Sequence, residues 1–241
     1  MMGMPITIEL ADPNAEEQYI DDVIMYLRYI DETFSTYKNT SEISRINSGL
    51  LDSKEMSADM REVFDLSEET KQLTNGFFDI RRPQGGFDPS GLVKGLAIYR
   101  SAEILRGHGL KNFYVDIAGD IQADGCNAKN EPWVIGIRNP FAQNEIIKVL
   151  SLSGRGIATS GTYIRGPHIY NPHAPDAGLN EIVSLTVVGP NVYEADRFAT
   201  AAFAMGKDGI TFIAALPGFE GYMIDRVGMA TATDGFADYV K

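Results

Sequence analysis

The chain has 241 residues, 44% hydrophobic and 22% charged, which is enough to bury a sizeable core as one large domain or two interlocked halves. A net charge of −12, spread without any Lys/Arg run, argues against nucleic acid as a partner. The apolar runs are short and interrupted, and MMGMPITIEL lacks a basic stretch leading into an apolar one; the expectation is a cytoplasmic chain, or one whose export signal has been cut away.

Met4 to Leu10 alternates as a short strand, and Asp12, Pro13 and Asn14 turn the chain into a helix. Tyr19, Ile20, Val23, Ile24, Leu27 and Ile30 share one face of that helix, so it packs on a core. Phe34 to Asn47, FSTYKNTSEISRIN, reads as an exposed hydroxyl-rich turn and a short helix capped by Ser41. A second amphipathic helix is expected over 57 to 73 through Met60, Val63, Phe64, Leu66 and Leu73, closed by Asn75 and Gly76. In the following NGFFDI, Phe77 and Phe78 must point in different directions. One can serve the core, and the other can do the same or face a planar ring.

The stretch from Phe87 to Leu105 organises the chain. Asp88, Pro89, Ser90 and Gly91 form a turn that opens into a helix, with Ser90 offering a cap and Gly91 allowing close approach to the backbone. Leu92, Val93, Leu96, Ala97, Ile104 and Leu105 then recur at helical spacing and predict one buried face. A fixed helix N-terminus with Lys94 nearby and a carboxylate on its lip suits a phosphate, or a phosphate with a metal; a plain capped helix is the alternative.

Strands are expected at Phe113 to Ile117, around Trp133, Ile135 and Ile137, and from Ile146 to Leu152. Ala118, Gly119 and Asp120 form a small-residue turn after the first of them. Gly154 to Gly161, GRGIATSG, reads as a strand running into a small hydroxyl-bearing loop of the kind that suits oxyanions. His168 stands between turn residues in GPHIYNP, where structural and chemical roles are both open, whereas His108 and His173 read as surface residues. Val183, Leu185 and Val187 mark another strand, and Glu194 to Met205 a helix of small residues. Asp196 and Thr200 lie at i and i+4 on it, so they can offer oxygens to one hard cation or bond to each other on a solvated face. Short alternating segments at Tyr222 to Asp225 and Val227 to Thr233 end a chain that reads as α+β. The lone Cys126 excludes an internal disulfide.

In order, FSTYKNTSEISRIN, NGFFDI, FDPSGLVKG, VDIAGD, IATSGTYIR, HIYNP and ADRFAT resemble segments of the FAD:protein FMN transferase family, the ApbE-type flavin transferases. The likeness runs from Met2 to about Gly206. It implies a single α+β domain over 1–241 with duplicated α/β halves and mixed, largely antiparallel sheets, an FAD cavity between the halves and Mg²⁺ at the pyrophosphate. By resemblance, Met2 packs on the flavin, and Tyr37, Phe77, Phe78 and Asp79 fall at flavin-nucleotide contacts. Asp88, Lys94 and Tyr170 are likewise implied to touch FAD. Gly91 through its carbonyl, Asp196 and Thr200 are the implied metal ligands, and His168 holds the catalytic histidine position. The implied reaction moves FMN from FAD to a Thr or Ser hydroxyl of an acceptor flavoprotein and releases AMP. FAD hydrolysis to FMN and AMP, or flavin binding without catalysis, are the alternatives. Departures from the family pattern are Asn171 for the usual Asp, Ala118 for Gly, and Ala199 where some members carry a carboxylate. The segment Arg81 to Phe87 also replaces a longer helical insertion, which shortens one wall of the expected cavity and puts adenine-side contacts in doubt.

Overall fold

The alternating residues near the N-terminus form strand β1 (Ile6–Leu10), and the helical periodicities form α1 (Glu17–Phe34), α2 (Glu42–Asn47), α3 (Ala58–Leu73) and α4 (Ser90–Gly107). Strands β2 (Phe113–Ile117), β3 (Asp120–Asp124), β4 (Trp133–Asn139), β5 (Ala142–Leu152), β6 (Arg155–Gly161) and β7 (Ile182–Gly189) follow. Helices α5 (Val192–Ala204) and α6 (Gly209–Ala214) and strands β8 (Glu220–Asp225) and β9 (Ala230–Ala232) complete the chain. These positions come from a computed structural model that describes residues 4–161, 169–175, 178–179 and 181–241.

Seven strands form one sheet in the order β1-β2-β3-β6-β7-β8-β9, and β4 pairs with β5 as a separate hairpin. Every pairing is antiparallel, so the mixed sheet that was expected has no parallel pair among the described residues. Short turns such as Ala118–Gly119 require this for β2–β3, β4–β5 and β8–β9, because a parallel neighbour needs a crossover of a dozen or more residues. Helix α4 packs on β2 and β3, α5 packs on β6 and β7, and the two helices pack on each other. The expected halves therefore share one continuous sheet.

Leu27, Leu92, Ile98, Phe113 and Val115 belong to one core cluster, and Leu185, Val187, Phe198 and Phe203 to a second beside α5. Ile121, Trp133, Leu150, Ile224 and Phe236 form a third beneath the β4–β5 hairpin. Each large apolar side chain removed from water contributes about 1.5–3 kcal/mol, so these clusters fix the α4–α5 crossing firmly. No helix among the described residues is long and apolar enough to cross a membrane.

Several elements differ from the sequence expectation for local reasons. Leu73 is exposed, and Ser67 and Thr70 take its place on the buried stripe of α3, their hydroxyls donating to the carbonyls of Val63 and Leu66. Helix α4 buries Leu92, Val93, Gly95, Ala97, Ile98, Ser101 and Leu105, and thus most of its circumference rather than one face. Residues 155–161 are strand β6 rather than a loop: 155–157 pair with β3 and 156–161 with β7, so the end of the strand beyond Ile157 has its β3 side open. The first tail segment lies in β8, but of Val227 to Thr233 only Ala230–Ala232 is strand, because the Asp225 carbonyl accepts from Gly228 N–H at 3.1 Å and closes a turn before it.

Candidate active site

Helix α3 ends in two left-handed residues, Asn75 (φ 50°) and Gly76 (φ 82°), and the buried Thr74 hydroxyl accepts the Phe78 N–H at 3.1 Å. This reversal sends Phe78 into the core and leaves Phe77 on a cavity wall, edge-on to the His173 ring at 4.5 Å. Only one of the adjacent aromatics is core, as alternate directions require. Asp79 also lines the cavity, with its carboxylate held by Lys71 at 2.7 Å. His173 lies at the surface, as expected, but also buttresses Phe77.

The turn into α4 brings the next set together. Asp88 N–H donates to the Ile80 carbonyl at 2.8 Å, and the Asp88 carboxylate accepts the Ser90 N–H at 3.1 Å. Ser90 is therefore the first helical residue and Asp88 does the capping, since Pro89 has no N–H to offer and makes no side-chain cap. Asp88, Ser90, Gly91 and Lys94 all line the same cavity, which encloses about 430 Å³, within the roughly 300–1,000 Å³ usual for small-molecule sites.

Helix α5 supplies the opposite partners. Eleven of its thirteen residues are buried, so the alternative of a solvated helix face for Asp196 and Thr200 does not apply. The Thr200 hydroxyl lies 3.3 Å from the Gly91 carbonyl, and the Asp196 carboxylate accepts the Gly95 N–H at 2.7 Å. Lys94 pairs with Asp120 and lies 3.7 Å from Asp196. Asp120 in turn accepts the Thr159 N–H at 3.0 Å, which joins β3 and β6 to the cluster. Burial pushes the Asp196 carboxyl up to about 7; Lys94 pulls it down and Asp120 adds to the rise. Asp120 was missed as a site residue, because after Ala118 and Gly119 it reads as a turn residue and only the β3–β6 pairing shows its burial.

Gly91, Asp196 and Thr200 present a carbonyl, a carboxylate and a hydroxyl. No cluster of three His, Cys, Asp or Glu side chains able to hold an ion occurs among the described residues. A sparse all-oxygen set suits Mg²⁺, which binds through one or two carboxylates and keeps water or phosphate in its other positions, so the residues present fit that ion.

Tyr170 stands on the far wall, its hydroxyl 2.5 Å from the Arg81 carbonyl and 3.1 Å from that of Asp79, with burial pushing its pKa up to about 12. The cavity thus gathers Phe77, Phe78, Asp79, Asp88, Gly91, Lys94, Tyr170, Asp196 and Thr200 from four stretches of chain. Tyr37 is not among them. It is 95% exposed in the turn after α1, where the Ser41 hydroxyl donates to the Ser35 carbonyl and fixes a bend that leaves the ring outside. Met2 and His168 lie outside the described residues.

The Vibrio cholerae flavin transferase ApbE has a TM-score of 0.84 to this chain at 24% identity, covering 98% of this chain and 96% of that one. The ApbE protein of Thermotoga maritima gives 0.87 at 19% identity, covering 100% and 97%. At those identities the likeness shows the fold, which agrees with the α+β expectation. Among curated relatives, the FAD:protein FMN transferase of Haemophilus influenzae is 29% identical over 169 residues, and that of Vibrio cholerae 30% over 168. Each alignment takes in 66% of this chain and 49% of the relative, so the chain spans about half the length of the curated relatives it matches. The ApbE family model matches residues 2–82 and 80–223, and on that coverage the chain belongs to the ApbE family.

Proposed function

We propose that the chain, working as a single domain over 1–241, transfers FMN from FAD to a Thr or Ser hydroxyl of an acceptor protein and releases AMP. The observation that carries this reading is the meeting of the Gly91 carbonyl and the Thr200 hydroxyl across 109 positions of sequence, beside a buried Asp196. Curated relatives named for the same activity support it.

An alcohol is a weak nucleophile at neutral pH and needs a base. His168 is assigned that role from its sequence position, as the group whose ordinary pKa suits it. The acceptor hydroxyl gives its proton to His168 as its oxygen attacks the FMN-side phosphorus. The phosphorus–oxygen bond to the adenylyl phosphate breaks, and AMP leaves with the electron pair. Gly91, Asp196 and Thr200 would hold Mg²⁺, which when bound withdraws charge from the diphosphate. Lys94 places a further positive charge beside the same carboxylates, and Phe77 and Tyr170 offer ring surface to the flavin.

Incubation with FAD, Mg²⁺ and an acceptor domain tests the reading by mass spectrometry and nucleotide chromatography. A gain of one FMN on the acceptor together with AMP release is expected. FMN and AMP free in solution with no acceptor gain would replace it with hydrolysis, and intact FAD would leave binding alone.

A further inference from the structure

The short segment between Ile80 and Asp88 is a tightly built hairpin. Arg81 bridges Phe87, Arg82 N–H donates to the Gly86 carbonyl at 3.0 Å, and Gly85 N–H donates back to the Arg82 carbonyl at 3.0 Å. Asn47 of α2 clasps the far strand, its side chain accepting the Phe87 N–H at 2.7 Å and donating to the Phe87 carbonyl at 2.9 Å. The Arg81 guanidinium covers the Phe87 ring at 5.0 Å. Gly86 has φ +77°, and a Cβ there would meet the Asn47 carboxamide at 2.9 Å and Arg82 Nη2 at 3.1 Å. The glycine thus makes the seat in which the Arg82 side chain lies.

Arg82 lines the cavity, and its buried Nε has no hydrogen-bond partner among the described residues. A buried, unsatisfied donor is uncommon in a folded protein and calls for a missing ligand or water. Arg82 and Lys94 are the cations among the described cavity residues. Lys94 is engaged by Asp120 and Asp196, and Asp79 is engaged by Lys71, whereas no ion pair holds the Arg82 guanidinium among the described residues.

Resting on the proposed reaction, we infer that Arg82 binds the adenylyl phosphate of the dinucleotide and is a determinant of the preference for FAD over FMN. Lys94, Gly91, Asp196 and Thr200 gather where α4 meets α5 and account for one phosphate there. Arg82 stands on a separate element, and the second phosphate of a diphosphate is the anion left for it. A guanidinium suits this task because its planar fork matches phosphate oxygens. A hairpin that fixes it beforehand also reduces the ordering cost of binding.

Equilibrium dialysis of FAD and of FMN with Mg²⁺, read by flavin absorbance, compares the native chain with Arg82→Ala and Arg82→Gln. Loss of charge-assisted hydrogen bonds should weaken FAD by about 10- to 100-fold in both variants, while FMN changes by less than about twofold. Unchanged FAD affinity in both variants, or equal weakening of FAD and FMN, would overturn the assignment and leave the proposed reaction standing. A native chain that binds no FAD would defeat the reaction itself and the assignment with it. The side chain makes no hydrogen bond at Nε, so both variants should retain the native urea midpoint.

Discussion

Asp196 carries its carboxylate at 3% exposure, where ionisation works against the fold. Desolvation lifts its pKa from 3.8 to about 7, despite the opposing pull of Lys94. The sign then follows from linkage: between pH 4 and pH 7 the folded state binds more protons than the unfolded one, so stability falls across that window as pH rises. For the metal-free chain, Asp196→Asn should raise the melting temperature at pH 8 and raise it less at pH 5, as followed by circular dichroism. The reverse order would remove the assigned burial penalty. Asp196→Ala should abolish Mg²⁺-dependent FAD turnover, and full retention would remove its role as a ligand. A charge kept at the expense of stability is typical of functional positions. His168→Ala should slow transfer to the acceptor while dialysis still shows FAD bound; unchanged transfer would exclude it as the base. The i, i+4 relation of Asp196 and Thr200 was legible in the sequence because helical spacing alone sets it. Gly91 was readable as a point of close backbone approach, but its role as a ligand entered only through family resemblance, since a backbone carbonyl leaves no trace in side-chain pattern. Asp88 replaced Ser90 as the cap because the proline between them shifts the first helical residue.

At the scale of elements, the site depends on how closely α4 and α5 cross. A Cβ on Gly95 would stand 2.6 Å from the Asp196 Cβ and 2.9 Å from the Val192 carbonyl, so the helices touch where any side chain would separate them. Gly95→Ala should destabilise the chain by about 1–3 kcal/mol, the usual range for overpacking, and should weaken Mg²⁺-dependent turnover by moving Asp196 off Gly91 and Thr200. Gly107→Ala is the control, since it meets nothing within 4 Å at the end of the same helix. By helix propensity it should be neutral or slightly stabilising. Urea denaturation of the pair checks both, and equal midpoints would contradict the close crossing. The positions of the longer helices were readable from periodicity, but the short α6 and the burial of α4 on most sides were not. Its Gly95, Ala97 and Ser101 look like neutral helix residues until α5 and the sheet close over them. Thr70 and Ser67 were hidden for a related reason: their hydroxyls donate to carbonyls within α3, and that of Thr70 also accepts from Arg197 of α5 at 3.1 Å, so both can be buried.

For the whole molecule, most strands were legible because alternation marks a half-buried sheet, and the α+β class followed. Strand order was not. β3 pairs with β6 past the intervening β4–β5 hairpin, and no local pattern encodes a pairing across that interval. The cavity is a product of that order, since β3 brings Asp120, β6 brings Thr159 to Gly161, and the two helices bring the oxygens of residues 91, 196 and 200. The central claim is that these three oxygens hold a divalent ion against the diphosphate of FAD. A crystal structure with FAD and Mg²⁺ tests it most directly. The account predicts the ion about 2.0–2.1 Å from the Gly91 carbonyl, the Asp196 carboxylate and the Thr200 hydroxyl, sharing a diphosphate oxygen. An ion held by other residues, or FAD bound outside this cavity, would contradict it.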